Sequence, residues 1–193
     1  MAAVAHHVLN PAVQAWMERL PAPHKALFLD RDGVINLDHG YVHTPAGTDW
    51  VPGIFELVRS AMAAGYIPVV VTNQAGIARG LYDEAAFVAY THWVHEEFAA
   101  RGACIAATFF CPHHPEAGRG DYLRQCLCRK PKPGMILAAI ESMGIDPVRS
   151  VLVGDKSSDI EAARAAGVGR SILVAPGGVG LEAIRAMFDR EAA

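Results

Sequence analysis

The stretch Leu27-Phe28-Leu29-Asp30-Arg31-Asp32-Gly33-Val34 places two acids directly after three consecutive apolar residues. A strand that is covered on both faces of a parallel sheet has a continuous apolar run, so residues 26–30 are predicted to form a buried strand. Ligands of such sheets bind beyond the carboxyl ends of the strands. The sequence therefore predicts that Asp30 and Asp32 face a ligand, with Gly33 allowing a tight turn or a close backbone approach. Taken alone, the stretch is equally compatible with a turn closed by solvated aspartates.

From Lys25 onward the chain alternates between strand-like and helix-like runs. The strand-like runs lie at 26–30, 67–72, 105–110, 151–154 and 171–174, and the helical patterns at about 54–64, 84–100, 134–143, 158–166 and 180–189. This alternation predicts an α/β fold, a Rossmann-like parallel sheet flanked by helices. The irregular segments 31–52 and 111–133 are expected to be functional, since long loops in a compact domain usually are.

Length and charge limit the possible partners. The chain has 193 residues, 52% of them hydrophobic, which is enough to bury one core. A net charge of −3 gives no electrostatic reason to expect nucleic acid or an anionic membrane as a partner. No apolar run approaches the roughly 18 residues of a membrane span, and the N-terminus lacks the pattern of a secretory signal. We therefore expect a cytoplasmic protein.

Residues 1–24 are predicted to be an extension of a single domain that spans 25–193. Asn10 and Pro11 have the residue types of a helix cap and a first helical position. The apolar residues that follow at helical spacing are Val13, Trp16, Met17 and Leu20. We expect this short amphipathic helix to pack against the domain or against another subunit.

Two more predicted strands end in polar groups. The strand at 67–72 ends in Thr72-Asn73-Gln74, and the strand at 151–154 ends in Gly154-Asp155-Lys156. Turns favour Asn, Asp and Gly on their own, but three polar strand ends at one edge of one sheet indicate a ligand site. Asp30 and Asp155 offer the hard oxygen ligands that Mg²⁺ prefers beside a phosphate.

These groups suit phosphoryl transfer. A carboxylate such as Asp30 can attack phosphorus to give an aspartyl-phosphate. A second acid beside it, Asp32, can protonate the leaving oxygen and later activate water. The Thr72 hydroxyl can donate to the phosphoryl oxygens, and a lysine can neutralise the charge that develops on them.

The order of the motifs resembles that of a known enzyme superfamily. The segments DRDGV (30–34), TNQ (72–74), RKPKPG (129–134) and GDKSSD (154–159) resemble the four motifs of the haloacid dehalogenase (HAD) superfamily of phosphohydrolases. Within it, DHGY (38–41), TNQAGIARG (72–80), CPHHP (111–115) and CRKPKPG (128–134) are similar to the D-glycero-D-manno-heptose-1,7-bisphosphate 7-phosphatases. The resemblance extends over residues 25–176.

The resemblance implies a HAD fold with a minimal cap and a role for each matching residue. Asp30 would be the nucleophile and Asp32 the general acid/base, and Thr72 and Lys130 would bind the transferring phosphoryl group. Catalytic Mg²⁺ would be held by Asp30, Asp155 and the main-chain carbonyl of Asp32. The residues implied on the substrate side are Asp38, His39, Gly40, Tyr41, Asn73, Gln74, Arg129 and Lys156.

Three positions stay open at this point. Asp159 either orients Lys156 or a metal-bound water, or is only an acid in the first turn of a helix. Lys132 is an alternative to Lys130 as the phosphate-binding lysine. Ala75 stands where a small polar residue is expected in some relatives, which affects one minor substrate contact.

The cysteines predict a second metal site. The Cys-x-His and Cys-x-Cys pairs of the predicted structural zinc site are Cys111, His113, Cys126 and Cys128. Four Cys or His ligands leave no open position for catalysis, and such clusters are typical of a reducing compartment. His114 is the alternative nitrogen ligand, although the resemblance favours His113, and Cys104 is interpreted as a core residue. A core of buried cysteines with an incidental histidine is disfavoured because the Gly- and Arg-rich loop offers no core.

Arg129 and Lys130 directly follow the last of these cysteines. We therefore predict that zinc staples the loop and acts by positioning these two cations, since small misplacements of catalytic groups cost large factors in rate.

The resemblance implies removal of the 7-phosphate from a small-molecule heptose bisphosphate, a step toward ADP- or GDP-heptose for lipopolysaccharide core. A histidinol-phosphate phosphatase is the nearest alternative; the segment 38–41 and the Arg129-Lys130 pair favour the bisphosphate. A phospho-accepting receiver lacks an acid at the position of Asp32. An inactive zinc-stapled binding module is disfavoured because every catalytic position holds a competent residue.

With loops in place of a lid domain over the site, we expect a monomer. The sequence does not predict which anomer at carbon 1 is preferred.

Overall fold

The structure, a computed structural model, describes residues 6–175, 177, 178 and 180–193. In this part of the chain the strands are β1 (His6–Leu9), β2 (Lys25–Leu29), β3 (Tyr66–Asn73), β4 (Ala107–Cys111), β5 (Val151–Gly154) and β6 (Arg170–Leu173). They form one sheet in the order β1-β4-β3-β2-β5-β6. Five strands are parallel, as predicted, whereas β1 pairs antiparallel with β4 at one edge.

Helices cover both faces of the sheet. Their bounds are α1 (Gln14–Met17), α2 (Ile54–Ala63), α3 (Ala75–Arg79), α4 (Glu84–Ala100), α5 (Gly134–Met143), α6 (Ser157–Ala165) and α7 (Leu181–Ala192). The predicted helices all lie within two or three residues of these bounds. The short α3 was not predicted, because five residues carry too little periodicity to be recognised. No described helix has the length and apolar character needed to cross a membrane.

Two hydrophobic cores lie on opposite faces of the sheet because successive strand residues point to opposite sides. Leu27 and Leu29 of β2 pack with α2, α4 and α7, whereas Phe28 between them packs with α1, α5 and α6. All three side chains are fully buried. The apolar run that opens the sequence argument is therefore a central strand covered on both faces, as predicted.

The N-terminal segment differs from the prediction in one respect. Asn10 caps a 3-10 turn, its side chain accepting from the main-chain N–H of Ala12 at 3.2 Å, and α1 follows directly. The apolar stripe packs against the second core of the same chain. The predicted parallel sheet carries one further, antiparallel strand at its edge, because residues 6–9 form a strand that was not predicted. Four residues beginning with two histidines carry no strand pattern, and their pairing depends on β4.

The irregular segment 31–52 lies beside the carboxyl end of β2. It folds back on itself, since Leu37 N–H donates to the Asp49 carbonyl at 2.8 Å and Val51 N–H donates to the Ile35 carbonyl at 3.0 Å. This segment and the loop after β4 are the predicted irregular regions, and they contribute residues to the cavities described below.

Candidate active site

Asp30 lies at the carboxyl end of β2, buried beside a lysine from a distant loop. Lys130 Nζ is 2.7 Å from Asp30 Oδ1 and 2.8 Å from the Val71 carbonyl oxygen. It also lies 2.7 Å from Asp159 Oδ1. Burial opposes the charge on Lys130, but the adjacent carboxylates of Asp30 and Asp159 outweigh it and raise the pKa of the lysine. The charged form of Lys130 is thus favoured beside the predicted nucleophile.

This geometry bears on two of the open positions. Lys130, not Lys132, reaches the carboxylates, and Lys132 lines a separate cavity beside the cysteine loop. Asp159 pairs with Lys130, and its Oδ2 accepts from the main-chain N–H of Lys156 at 3.0 Å. It therefore caps the start of α6 and orients Lys130, which combines a helix-start role with a site role.

The carboxylates of Asp30, Asp155 and Asp159 form one cluster, with one oxygen from each lying within 4.8 Å of the others. Asp155 Oδ1 is buried and has no hydrogen-bond partner among the described residues. Burial and the nearby Asp30 raise the pKa of Asp155 to about 6. A buried, unpartnered carboxylate oxygen in an oxygen-only donor set fits Mg²⁺.

Gly33 makes room for this cluster. Its φ is +99°, and a Cβ at this position would lie 2.3 Å from Asp155 Oδ2. Both the left-handed backbone and the close approach exclude an L side chain. The glycine after the acidic pair is therefore required by the position of Asp155, as the close-approach interpretation predicted.

Asp32 lines the same small cavity as Lys130 but is held by other side chains. Its carboxylate accepts from Arg31 at 2.7 and 2.8 Å, from Asn36 at 3.0 Å and from Gln74 at 3.4 Å. The Gln74 amide also donates to Thr72 Oγ1 at 2.8 Å. The predicted acid/base and the predicted phosphoryl-binding hydroxyl are thus linked through one amide.

Two adjacent cavities open at this edge of the sheet. The smaller, about 50 Å³, is lined by Asp30, Asp32, Thr72, Asn73, Lys130, Lys156, Ser158 and Asp159. The larger, about 330 Å³, is lined by Asp32, Asp38, Gly40, Tyr41, Asn73, Gln74, Ala75, Tyr82 and Lys156. Asp32, Asn73 and Lys156 line both. This arrangement provides a small compartment beside the carboxylates and a larger one of sugar-phosphate size.

Lys156 and Asp38 form an ion pair of 3.3 Å that connects the end of β5 to the segment 31–52. Burial opposes the charge on Lys156, and Asp155, Asp30 and Asp38 together raise its pKa. Tyr41, nearby, has a φ of +54°, which is uncommon for a residue with a side chain. Such strain is frequent at ligand sites.

Two of the residues implied on the substrate side do not line either of these cavities. His39 pairs with Asp49 at 2.8 Å on the exposed surface. Arg129 donates to the His113 carbonyl at 3.1 Å and lines a third cavity of about 310 Å³, together with Arg124 and Lys132. Their roles stay predictions.

Sequence reasoning missed several residues that line or support the site. Tyr82 donates to Gln74 Oε1 at 2.7 Å, and its ring occupies the space that a Cβ on Gly76 would need. Burial raises the pKa of Tyr82 to about 12. Ser158 and Arg31 were also missed; both lie inside the matching motifs but at positions to which no role was given.

The four predicted zinc ligands lie together. The Sγ atoms of Cys111, Cys126 and Cys128 are 3.2 to 3.5 Å apart, and His113 Nδ1 is 3.4 Å from the Cys128 sulfur. The hydrogen bond between Cys128 and Cys111 lowers the pKa of Cys128 to about 5, despite burial. Three sulfurs and one nitrogen facing each other fit a closed tetrahedral zinc site.

Neither of the other candidates joins this cluster. His114 Nδ1 accepts from the main-chain N–H groups of Glu116 and Ala117 at 3.1 and 2.9 Å, so its ring caps the following turn. Cys104 packs against the second core, and burial raises the pKa of its thiol.

Comparisons with known proteins agree with the fold and the motifs. The HAD-hydrolase-like family model matches residues 127–191. A putative HAD-like phosphatase from Mesorhizobium loti superposes with a TM-score of 0.80 at 35% identity over 90% of each chain. The D,D-heptose 1,7-bisphosphate phosphatase of B. bronchiseptica, solved with magnesium and phosphate, superposes with a TM-score of 0.72 at 31% identity, over 86% of this chain and 97% of that one.

The curated relatives are named for one activity, and their names specify two different anomers of the heptose bisphosphate. The chain is 51% identical over 152 residues to a D-glycero-beta-D-manno-heptose-1,7-bisphosphate 7-phosphatase of Vibrio cholerae, covering 79% of this chain and 82% of the relative. It is 52% identical over 150 residues to a D-glycero-alpha-D-manno-heptose-1,7-bisphosphate 7-phosphatase of Burkholderia mallei, covering 78% and 79%.

The fold and the similarity define a phosphoric monoester hydrolase of the HAD superfamily. Within that superfamily, the chain belongs to the family of heptose-1,7-bisphosphate 7-phosphatases.

Proposed function

We propose that this protein is a Mg²⁺-dependent phosphatase that removes the 7-phosphate of D-glycero-D-manno-heptose 1,7-bisphosphate through an aspartyl-phosphate intermediate. The observation that carries the proposal is the buried Asp30 carboxylate, held 2.7 Å from Lys130 inside a cluster that contains the unpartnered Asp155 oxygen. The names of the relatives supply the substrate class.

In this proposal the reaction has two steps. An Asp30 oxygen attacks phosphorus while the bond from phosphorus to the sugar oxygen breaks, and a protonated Asp32 gives its proton to that oxygen. Asp32 then takes a proton from water as the water oxygen attacks phosphorus and releases phosphate from Asp30. Together the two steps return Asp30 and Asp32 to their starting forms.

Lys130 and Thr72 would hold the phosphoryl oxygens in both steps. Both side chains line the smaller cavity together with Asp30, and fixed donors at developing charge stabilise a transition state strongly. Asp30, Asp155 and the main-chain carbonyl of Asp32 would hold Mg²⁺, which supplies charge neutralisation and orientation of the phosphate when bound. The sugar would occupy the larger cavity, beside Lys156 and Asn73.

The Cys/His cluster would hold structural Zn²⁺ and thereby fix the segment from Cys128 to Lys130. A lysine two residues after a metal ligand has little freedom to move. This supports the hypothesis that zinc acts on turnover through the position of Lys130.

The other classes are less well supported. A phospho-accepting receiver stores a phosphoryl group and has no use for a second acid, whereas Asp32 lines the cavity next to Asp30. A binding module without activity would not need the Lys130–Asp30 pair. Product use in ADP- or GDP-heptose synthesis for lipopolysaccharide core, a cytoplasmic location and a monomeric state stay predictions.

The first experiment measures phosphate release with Mg²⁺ from the α and β anomers of heptose 1,7-bisphosphate and from histidinol phosphate. Preference for one bisphosphate anomer would support the proposal and identify the sugar pathway. Preference for histidinol phosphate would contradict the substrate assignment and leave the chemistry in place. Asp189→Asn, which changes a half-exposed acid on α7, serves as the matched control for variants of the acidic cluster.

A further inference from the structure

Arg31, the residue between the two aspartates, has a buried side chain that the proposed mechanism does not use. It is only 3% exposed. Its guanidinium carbon lies 5.5 Å from the centre of the Phe87 ring and 5.3 Å from that of Tyr90. A guanidinium is permanently charged, and burying it is costly unless an anion compensates.

That anion is Asp32. Arg31 Nη2 lies 2.8 and 2.7 Å from the two carboxylate oxygens, and Nε lies 3.1 Å from Oδ1. Nη2 also lies 2.6 Å from the carbonyl oxygen of Val42, while Nη1 is buried without a hydrogen-bond partner among the described residues. Burial opposes the charge, yet Asp32 raises the pKa of Arg31 above its ordinary value.

The other side of Asp32 is held as well. Asn36 donates to Oδ1 at 3.0 Å, and Gln74 lies 3.4 Å from Oδ2. Tyr82 in turn donates to Gln74. The carboxyl group is thereby held where the two cavities meet, which is where a proton must pass between the phosphoryl oxygen and the sugar.

We propose that Arg31 is a positioning residue: it fixes the Asp32 carboxyl at the junction of the cavities and, through the Val42 carbonyl, links it to the later part of the same irregular segment. The inference rests on the proposed acid/base role of Asp32. Proton transfer requires the acid within hydrogen-bond reach of the reacting oxygen, and a displacement of about 1 Å costs on the order of 100-fold in rate. Arg31 itself lines neither of the two cavities.

The test compares two leaving groups in single-turnover experiments with saturating Mg²⁺. A sugar alkoxide needs a proton from Asp32 as it leaves, whereas p-nitrophenolate is stable without one. In Arg31→Met the release of phosphate from heptose 1,7-bisphosphate should fall about 100-fold. The first release of p-nitrophenolate from p-nitrophenyl phosphate should stay within about threefold of the unchanged protein, because that step does not depend on the acid.

Arg31→Lys keeps the charge but cannot bind the carboxylate in the same bidentate way. It should therefore slow phosphate release from the sugar phosphate selectively, but by a smaller factor than Arg31→Met. It also replaces Arg31→Met if the latter does not fold. Arg59→Met, on the exposed surface of α2, is the control and should change neither rate.

Equal losses with both leaving groups would overturn the inference, since they would indicate a general structural role. Unchanged release from the sugar phosphate would overturn it too. Failure of the proposed function would appear differently, in the unchanged protein, as the absence of a preference for the heptose bisphosphate. The Arg31 inference is judged only from the ratio of each rate in the variant to the same rate in the unchanged protein.

Discussion

The carboxylate cluster and the Cys/His cluster each bring together the donor atoms of a metal site, but they would depend on an ion to different degrees. Asp30, Asp155 and Asp159 extend from β2, β5 and the start of α6, and Lys130 already neutralises part of their charge. The Cys/His cluster comes from the end of β4 and one irregular loop, and its four ligands face mainly each other. A cluster carried by a sheet keeps its geometry without its ion, whereas a loop cluster needs the ion to keep the loop in place.

The strongest test of this comparison is Asp30→Asn. If Asp30 is the nucleophile, steady-state phosphate release should fall by about 10⁴-fold or more, while the melting temperature changes little because the sheet holds the position. Asp189→Asn should behave like the unchanged protein. Retention of a tenth of the activity by Asp30→Asn would contradict the nucleophile assignment.

Removal of zinc tests the dependence of the loop on its ion. A zinc-selective chelator with Mg²⁺ in excess should lower kcat by about 100-fold and lower the melting temperature. Cys126→Ser should have the same two effects. Zinc content, circular dichroism and phosphate release measure the effect. Cys104→Ser, outside the cluster, should keep both zinc and activity. A folded, zinc-free protein with full activity would show that zinc does not position Lys130.

A pair of glycine variants separates backbone strain from the shape of the carboxylate cluster. Gly33 and Gly53 both have positive φ, but a Cβ at Gly53 meets no atom within 4 Å, whereas one at Gly33 meets Asp155. Gly53→Ala should cost about 1 to 2 kcal/mol of stability because of its left-handed backbone, and Gly33→Ala should cost more because its Cβ would also displace Asp155. Gly33→Ala alone should also weaken Mg²⁺ binding by about tenfold or more, measured as the Mg²⁺ dependence of turnover. Equal Mg²⁺ affinities would contradict the proposed ligand role of Asp155.

His95 is a buried ionisable residue outside both clusters, and its substitution is expected to have the smallest effect on turnover. It lies on α4 with Nε2 2.9 Å from Thr108 Oγ1, and burial lowers its pKa from 6.5 to about 4. Because the unfolded chain binds this proton at a higher pH than the folded one, stability should fall by about 2 kcal/mol between pH 7 and pH 5.

His95→Gln should remove most of this pH dependence, whereas Glu96→Gln, on the exposed face of the same helix, should keep it. Urea unfolding at the two pH values measures the difference, and phosphate release at pH 7 should be unchanged. If the free energy of unfolding of the His95 variant falls as much between pH 7 and pH 5 as that of the unchanged protein, other groups cause the acid sensitivity.

Much of the site could be predicted from the sequence because its parts are local. The apolar run before Asp30 specifies a central strand, and the pattern of two close Cys/His pairs predicts the four residues that lie together. The choice between His113 and His114 could not be made from spacing, since both lie in the same loop. In the structure His113 lies with the three cysteines, whereas the His114 ring accepts hydrogen bonds from the next turn.

The sequence by itself determined the alternating α/β order, the strand ends that carry acids and the cysteine motif, because each is encoded within a few consecutive residues. Only the tertiary structure decided which lysine meets Asp30, that Asp159 supports that lysine, and that Arg31 holds Asp32. It also decided that residues 6–9 extend the sheet. These contacts join residues distant in the chain, or select one orientation of a side chain, and both depend on packing and desolvation.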